Sequence, residues 1–200
     1  MDFMHQLVQQ LINGVSLGSI YALIALGYTM IYGIIKLINF AHGDIYMVGA
    51  YLGFFAVTQM QLSIFPALLI SMAITACLGM IVERLAYKPL RHAPRISILI
   101  TAIGVSFFLE YATMYFVTPT PRTFPTVIEN ISFNIAGFII NGQQLLILSI
   151  TMILMAILTY IVQKTKLGKA MRAASFDTET AQLMGIDSDR IISLTFCIGS

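Results

Sequence analysis

The sequence predicts an all-α fold: a polytopic bundle of transmembrane helices forming a single domain over residues 1–200, with about five full spans and the start of a sixth. Three observations predict it. Only 10% of the residues are charged, against about 25% in an ordinary soluble domain. Apolar residues collect in windows that approach the roughly 20 residues a spanning helix needs. The charges that remain are gathered between those windows, in clusters. With 58% hydrophobic residues and a mean hydropathy of +0.87, there is too little polar surface to coat a water-soluble body, so lipid is the main solvent. A net charge of +2 and a pI near 8.6 give no argument for a nucleic-acid partner.

The first window runs from about Leu11 to Ile35. The residues before it lack the basic start of a secretory signal, and the apolar run is too long for one, so it reads as a retained span. The second runs from about Ile45 to Val57, extended at low polarity to Gln59, and is short for a crossing. The third covers Ile64 to Val82, the fourth Ile96 to Val117 and the fifth Leu145 to Val162. A sixth starts at Ile191 and stops at Ser200 after about half the length a span needs. That reads as the front part of a longer protein. Cys77 and Cys197 lie far apart in apolar runs and read as buried packing thiols; without a Cys/His cluster, no metal site is expected.

Loop charges orient the spans. Arg84, Lys88, Arg91, His92 and Arg95 follow the third window; Lys164, Lys166, Lys169, Arg172 and Arg190 follow the fifth. Both groups read as cytoplasmic. Between them, Thr118 to Gln144 carries one cation, Arg122, and one anion, Glu129, and reads as an external loop stiffened by Pro119, Pro121 and Pro125. The N-terminus is then outside if the first two windows both cross. Tyr87, Tyr115 and Tyr160 fall near span ends, where an aromatic belt is expected. Glu83 and Arg84 read as side chains that snorkel to the headgroups.

Several constellations interrupt the apolar filler. Gly14 and Gly18, then Gly49 and Gly53, have the GxxxG spacing that lets helix backbones approach closely. Each pair reads either as helix packing within the chain or as a subunit interface or wall of a translocation path. Asn39-Phe40-Ala41-His42-Gly43-Asp44 separates the first two windows. A carboxylate inside a bilayer is costly and usually faces a cavity, a partner or the interface. Gly43 permits a break, and Asp44 can cap a helix that starts at Ile45. Two readings stay open: a short cytoplasmic turn, or a re-entrant break whose helix end points at an anionic ligand. His42 and Asp44 have no serine or cysteine nucleophile at motif spacing, so no catalytic set is visible. Glu110, inside the fourth window, reads as a packing or interfacial group or as a carrier of a coupling proton. Asn39, His42, Asp44 and Glu110 are the candidates for lining a path.

The stretch 164–190 is too charged to cross a bilayer and too short for a soluble domain. Asp177 is a good N-cap and Gly185 a good C′ residue, framing a helix from Thr178 to Met184, behind a small-residue helix from Ala170 to Phe176. Ala181 and Met184 share a face by i,i+3 spacing. Helices this short are marginal in water and need something docked against them. The Gly168-Lys169 pair lacks the glycine at position 163 and the Ser or Thr at 170 that a P-loop requires. Energy for active transport must therefore come from an ion gradient or another chain.

Taken together, Ile20-Tyr21-Ala22-Leu23, Gly27-Tyr28-Thr29-Met30-Ile31-Tyr32-Gly33, Ile38-Asn39-Phe40-Ala41-His42-Gly43-Asp44 and Gly49-Ala50-Tyr51 resemble the permease subunits of branched-chain amino-acid ABC importers, the H type in particular. The segment from Gly168 through Arg172, Ala173, Ala174 and Asp177 to Gly185 is similar to the loop by which such permeases contact their ATPase, with Arg172 where the best-known form has Glu. The resemblance implies a multi-pass subunit of the cell inner membrane. It implies a second permease subunit, two cytoplasmic ATPases that hold ATP and Mg, and an external binding protein delivering leucine, isoleucine or valine. The chain itself would bind no cofactor. Urea, a short amide or another amino acid as cargo, and a proton-coupled transporter, are the alternatives. A cysteine at Ser132 is expected to react with an impermeant thiol reagent from outside and one at Ser175 from inside; the reverse pattern overturns the orientation.

Overall fold

The structure, a computed structural model, describes residues 2–36, 38–91, 93–117, 120–125, 132–135 and 138–200. His92, Pro119 and Glu129 therefore lie outside the described residues. Among the described residues eight α-helices follow one another: α1 (Asp2–Ile35), α2 (His42–Thr58), α3 (Ile64–Val82), α4 (Arg95–Phe116), α5 (Gly142–Lys164), α6 (Lys166–Phe176), α7 (Thr178–Leu183) and α8 (Ser188–Gly199). The all-α bundle is borne out. One short antiparallel hairpin, β1 (Ser132–Ile135) with β2 (Phe138–Asn141), lies in the long loop before α5, with Ser132 opposite Asn141 and Ile135 opposite Phe138.

Among the described residues, four helices are long and apolar enough to cross a membrane: Phe3–Ile35, Ile64–Leu90, Arg95–Phe116 and Gly142–Lys164. The chain is a multi-pass membrane protein. α2, from the second window, has only 17 residues. Its start at His42 rather than Ile45 makes Asp44 a first-turn residue instead of the cap.

Local sequence explains the element ends. Ile35 is followed by Lys36 at φ 55°, the left-handed position that closes α1. Pro66 sits in the first turn of α3, where a missing N–H costs nothing. Asn141 and Gln144 form a reciprocal capping box at the start of α5. The Gln144 side chain also donates to Asn13 Oδ1 at 2.9 Å, tying α5 to α1.

The helix after α3 does not end; it changes pitch. Glu83–Tyr87 forms a π-helical turn, closed by the Lys88 N–H donating to the Glu83 carbonyl, and Lys88–Leu90 tightens into a 3₁₀ turn. Around this irregular joint lies the main core. Ile31 and Ile34 of α1, Val82 and Tyr87, Ile98 and Ala102 of α4, Met171 of α6, and Ile192 and Phe196 of α8 pack together there.

α8 reaches that core by close backbone approach. A Cβ on Gly79 would meet the Phe196 carbonyl at 3.0 Å, and one on Gly27 would meet the Gly199 carbonyl at 2.5 Å. Among the paired glycines, Gly49 is at a contact: the Ser71 hydroxyl donates to its carbonyl at 2.6 Å, and an added Cβ would meet Thr75 Cγ2 at 2.9 Å. Gly14, Gly18 and Gly53 have nothing within 4 Å of an added Cβ.

Three expectations are corrected. Tyr87 is not part of an aromatic belt but is buried in the core, because the π turn carries it inward; Tyr115 and Tyr160 are exposed as expected. Cys77 is exposed rather than buried, since it lies on the outer side of α3, and Cys197 is half-buried. Met184 does not share the buried face of Ala181, because α7 ends at Leu183 and the helical spacing stops with it.

Candidate functional site

The depth of α2 decides what its first turn can do. α1 and α4 meet the chain's basic side at Ile35 and Arg95. The Cε1 of His42 would stand 3.1 Å from a Cβ on Gly27, and Gly27 lies about 12 Å back along α1 from Ile35 by helical rise. Ser106 donates a short hydrogen bond to Asp44 Oδ2, and Ser106 lies about 16 Å along α4 from Arg95. Half of a hydrocarbon core is about 15 Å. At its far end α2 reaches the long loop, where Phe54 stacks edge-on against Phe124 with centroids 6.2 Å apart.

α1 therefore ends at the basic end, and α2 starts near mid-depth, level with Gly27 and Ser106. A re-entrant break has its helix end at such a depth.

A helix end at that depth is cut off from water on its buried face, so its first N–H groups need partners within the protein. Two of the needs are met locally: the Ala41 N–H donates to Asn39 Oδ1 at 3.1 Å and the His42 N–H to the Asn39 carbonyl at 3.2 Å. No side chain of the N-cap residue, Ala41, contributes. Gly43 is exposed, with open space where a Cβ would stand, and Asp44 is half-buried beside it.

Behind this tip is a buried polar group. Asn39 and His42 are 2% and 5% exposed. The Tyr87 hydroxyl donates to Asn39 Oδ1 at 2.7 Å, and the Tyr28 ring lies edge-on to His42 at 5.8 Å. Among the described residues, Asn39 Nδ2 and His42 Nδ1 have no hydrogen-bond partner. Buried polar atoms are nearly always paired, so each of these is an open valence.

A second polar group holds the basic end. Glu83 does not snorkel: its side chain is 0% exposed. The π turn points it into the protein, where Arg91 forms an ion pair with Oε1 and the Ser193 hydroxyl donates to Oε2 at 2.6 Å. Arg91 forks, its other terminal nitrogen pairing with Asp189 in the first turn of α8; Lys88 joins the same carboxylate at 3.0 Å. These hydrogen bonds and positive charges hold the Asp189 carboxyl below the usual carboxylate range. Arg84, one residue after Glu83, is exposed and free to snorkel.

The 164–190 segment folds as two linked caps. Thr165 accepts from the Gly168 N–H at 3.1 Å, and Arg172 donates to the Val162 carbonyl. Gly168 is required there, since a Cβ would stand 2.1 Å from that same carbonyl. Asp177 accepts from the Glu179 and Thr180 N–H groups at 3.0 and 3.1 Å, and hydrogen bonds from Thr180 lower its pKa. Gly185 takes φ +83°, a conformation that favours glycine. Ala174 and Ala181 are buried against the bundle while Phe176, Leu183 and Met184 are exposed. Ala173 lies between these faces, half-buried.

The structure thus brings Asn39, His42 and Asp44 to one helix tip. It leaves Glu110 apart, exposed on α4 farther from the basic end. Sequence reasoning missed Tyr28, Tyr87, Glu83, Arg91, Asp189 and Ser193. Glu83 and Tyr87 at i,i+4 on a span end were the available signal; the α8 partners carried none. Among the described residues no cluster of His, Cys, Asp or Glu could hold a metal ion.

Apolar spans, a helix tip at mid-depth and a compact helical segment at the basic end define a class, a multi-pass membrane conduit. Residues 10–200 match the family described as branched-chain amino acid transport system / permease component, and the chain belongs to that family. It is accordingly a transport subunit rather than a catalytic enzyme, one component of a larger system. The chain is 42% identical to the high-affinity branched-chain amino acid transport system permease protein BraD of Pseudomonas aeruginosa, over 100% of this chain and 69% of that protein. It is 37% identical to the corresponding permease LivH of Escherichia coli K12, over 96% and 67%. It is 28% identical to a probable branched-chain amino acid transport permease LivH of Methanocaldococcus jannaschii, over 86% and 56%. No solved structure matches the chain.

Removing one member of a buried ion pair costs about 3–5 kcal/mol, whereas replacing both by apolar residues is often neutral. Arg91→Ala is therefore expected to lower the melting temperature of the detergent-solubilised protein sharply, and Glu83→Met with Arg91→Leu to restore most of it. Because the Asp189 pKa is lowered on folding, its contribution is complete above the unfolded value of about 3.9 and fades as pH falls through the folded value. Melting is expected to show no loss from this group between pH 7 and 5, and Asp189→Asn to remove at pH 7 what the native chain loses only in acid.

Proposed function

We propose that this chain is a permease subunit of an ATP-driven importer for leucine, isoleucine and valine in the cytoplasmic (inner) membrane. The observation that carries the reading is the 164–190 segment. It is locked by caps at Thr165, Asp177 and Asp187, buried through Ala174 and Ala181, and exposes Phe176, Leu183 and Met184 at 87%, 87% and 80%. Large apolar side chains held out on rigid short helices beside a basic surface form an adhesive face.

The partner of that face is a cytoplasmic ATPase, present twice in the assembly and supplying the nucleotide and Mg site this chain's Gly168-Lys169 does not offer. A second permease subunit completes the path, and an external binding protein delivers the cargo. The cargo rests on the names of the similar proteins. The path runs past the amino end of α2, where Gly43, Asp44, Asn39 and His42 gather and where the bundle presents polar groups at mid-depth. The chain forms no covalent bond with what it carries; rigid-body rocking of its helices changes which side the α2 tip faces.

Leu183→Glu puts a charge into the exposed face without touching the core. It is expected to abolish co-purification of the ATPase while leaving membrane insertion unchanged; normal co-purification defeats the docking surface. Uptake of labelled leucine that survives ATP depletion but collapses with an uncoupler defeats the ATP-driven reading, and uptake of urea in place of leucine changes the cargo.

A further inference from the structure

We infer that the π turn Glu83–Tyr87 is the transmission joint between the 164–190 segment and the α2 tip, with Arg91 and Tyr87 as its positioning residues. The inference rests on the permease reading and adds how movement at the basic end reaches the helix end at mid-depth.

The links are continuous. α7 and α8 move together, because the Ser188 hydroxyl, on a residue 1% exposed, donates to the Thr178 carbonyl at 3.2 Å and the Ile186 N–H to the Ala181 carbonyl at 3.0 Å. α8 grips the joint at three points. Asp189 holds Lys88 and Arg91, Ser193 holds Glu83, and the buried Phe196 ring packs on Tyr87 with centroids 5.3 Å apart. The joint in turn grips the tip: the Tyr87 hydroxyl donates to the same Asn39 oxygen that receives the Ala41 N–H.

Spatial continuity alone is not coupling; a two-state element is needed. The proposed element is the π turn. Single π turns sit inside α-helices as one-residue insertions in register and recur at functional positions. Returning this one to α pitch rotates the residues beyond it by about 100°, which carries Tyr87 off Asn39 while Glu83 stays in place. The unpartnered Asn39 Nδ2 and His42 Nδ1 are groups that this arrangement leaves unsatisfied and a second arrangement can pair. A buried ion pair is a poor source of stability compared with apolar residues of like size, and its best-attested use is to fix register. That is the role Arg91 plays between Glu83 and Asp189.

The test uses the full-length permease assembled with its partner subunits in proteoliposomes. Tyr87→Phe keeps the ring on Phe196 and deletes only the hydroxyl. Leucine moved per ATP hydrolysed is expected to fall about fivefold, the scale set by one ordinary hydrogen bond, with ATP hydrolysis unchanged and the melting temperature lowered by no more than the loss of that one bond. An unchanged ratio, or transport and hydrolysis falling together with the melting temperature, overturns the inference.

A second reading needs no particular cargo. A cysteine at Gly43 is labelled with a water-soluble thiol reagent, with and without trapping by ATP and vanadate. The labelling rate is expected to respond to trapping when Tyr87 is present and not in Tyr87→Phe. An equal response in both overturns the joint. A response of this kind in an assembly that moves no leucine upholds the joint and defeats only the proposed cargo.

Discussion

A carboxylate with no exposed surface must be neutralised where it stands, and the arrangement of this chain at its basic end follows from that requirement. Glu83 lies at the point where α3 changes pitch. Desolvating a charge costs several kcal/mol unless geometry and additional hydrogen bonds return it. Glu83 obtains them from two directions, Arg91 eight residues on and Ser193 from α8. Because Arg91 also holds Asp189, the same guanidinium that neutralises Glu83 fixes where α8 begins. α8 can then run into the bundle only along the line that Gly79 and Gly27 leave open, and its far end arrives beside His42.

Gly27 is therefore the meeting point of three elements, α1, α8 and the α2 tip. A side chain there would displace either the Gly199 carbonyl or the His42 ring. The small residue is what allows the start of α2 to be covered on one side by α1 while Gly43 stays open on the other. Burial on one face and openness on the other is the condition for a helix end to serve a passing polar solute. A fully buried end is satisfied only by its own chain, and a fully exposed one is satisfied by water.

The segment at the basic end obeys a different economy. Its helices are too short to persist alone, and each is held by a named cap: Thr165 for α6, Asp177 for α7, Asp187 for α8. These caps, with Gly168 and Gly185, make a stiff object whose Met171, Ala174 and Ala181 face the bundle and whose Phe176, Leu183 and Met184 face away. Stiffness matters because a soft segment would absorb displacement instead of passing it on.

The sequence by itself determined the class of protein, the apolar spans, the capped helices of the 164–190 segment and the break around Asn39–Asp44. These are properties of local composition, and local free energies dictate them: a run of about 20 apolar residues has one solvent, and Asp177 caps the helix after it wherever the chain goes. Only the tertiary structure decided how deep α2 begins, that Glu83 and Tyr87 turn inward, and that Arg91 bridges to Asp189. The first depends on contacts to Gly27 and Ser106 on other helices, and the others on a one-residue change of pitch and on partners from 48 to 110 positions away. A period read along one helix cannot register such an insertion, and nothing near Glu83 in the chain announces Ser193.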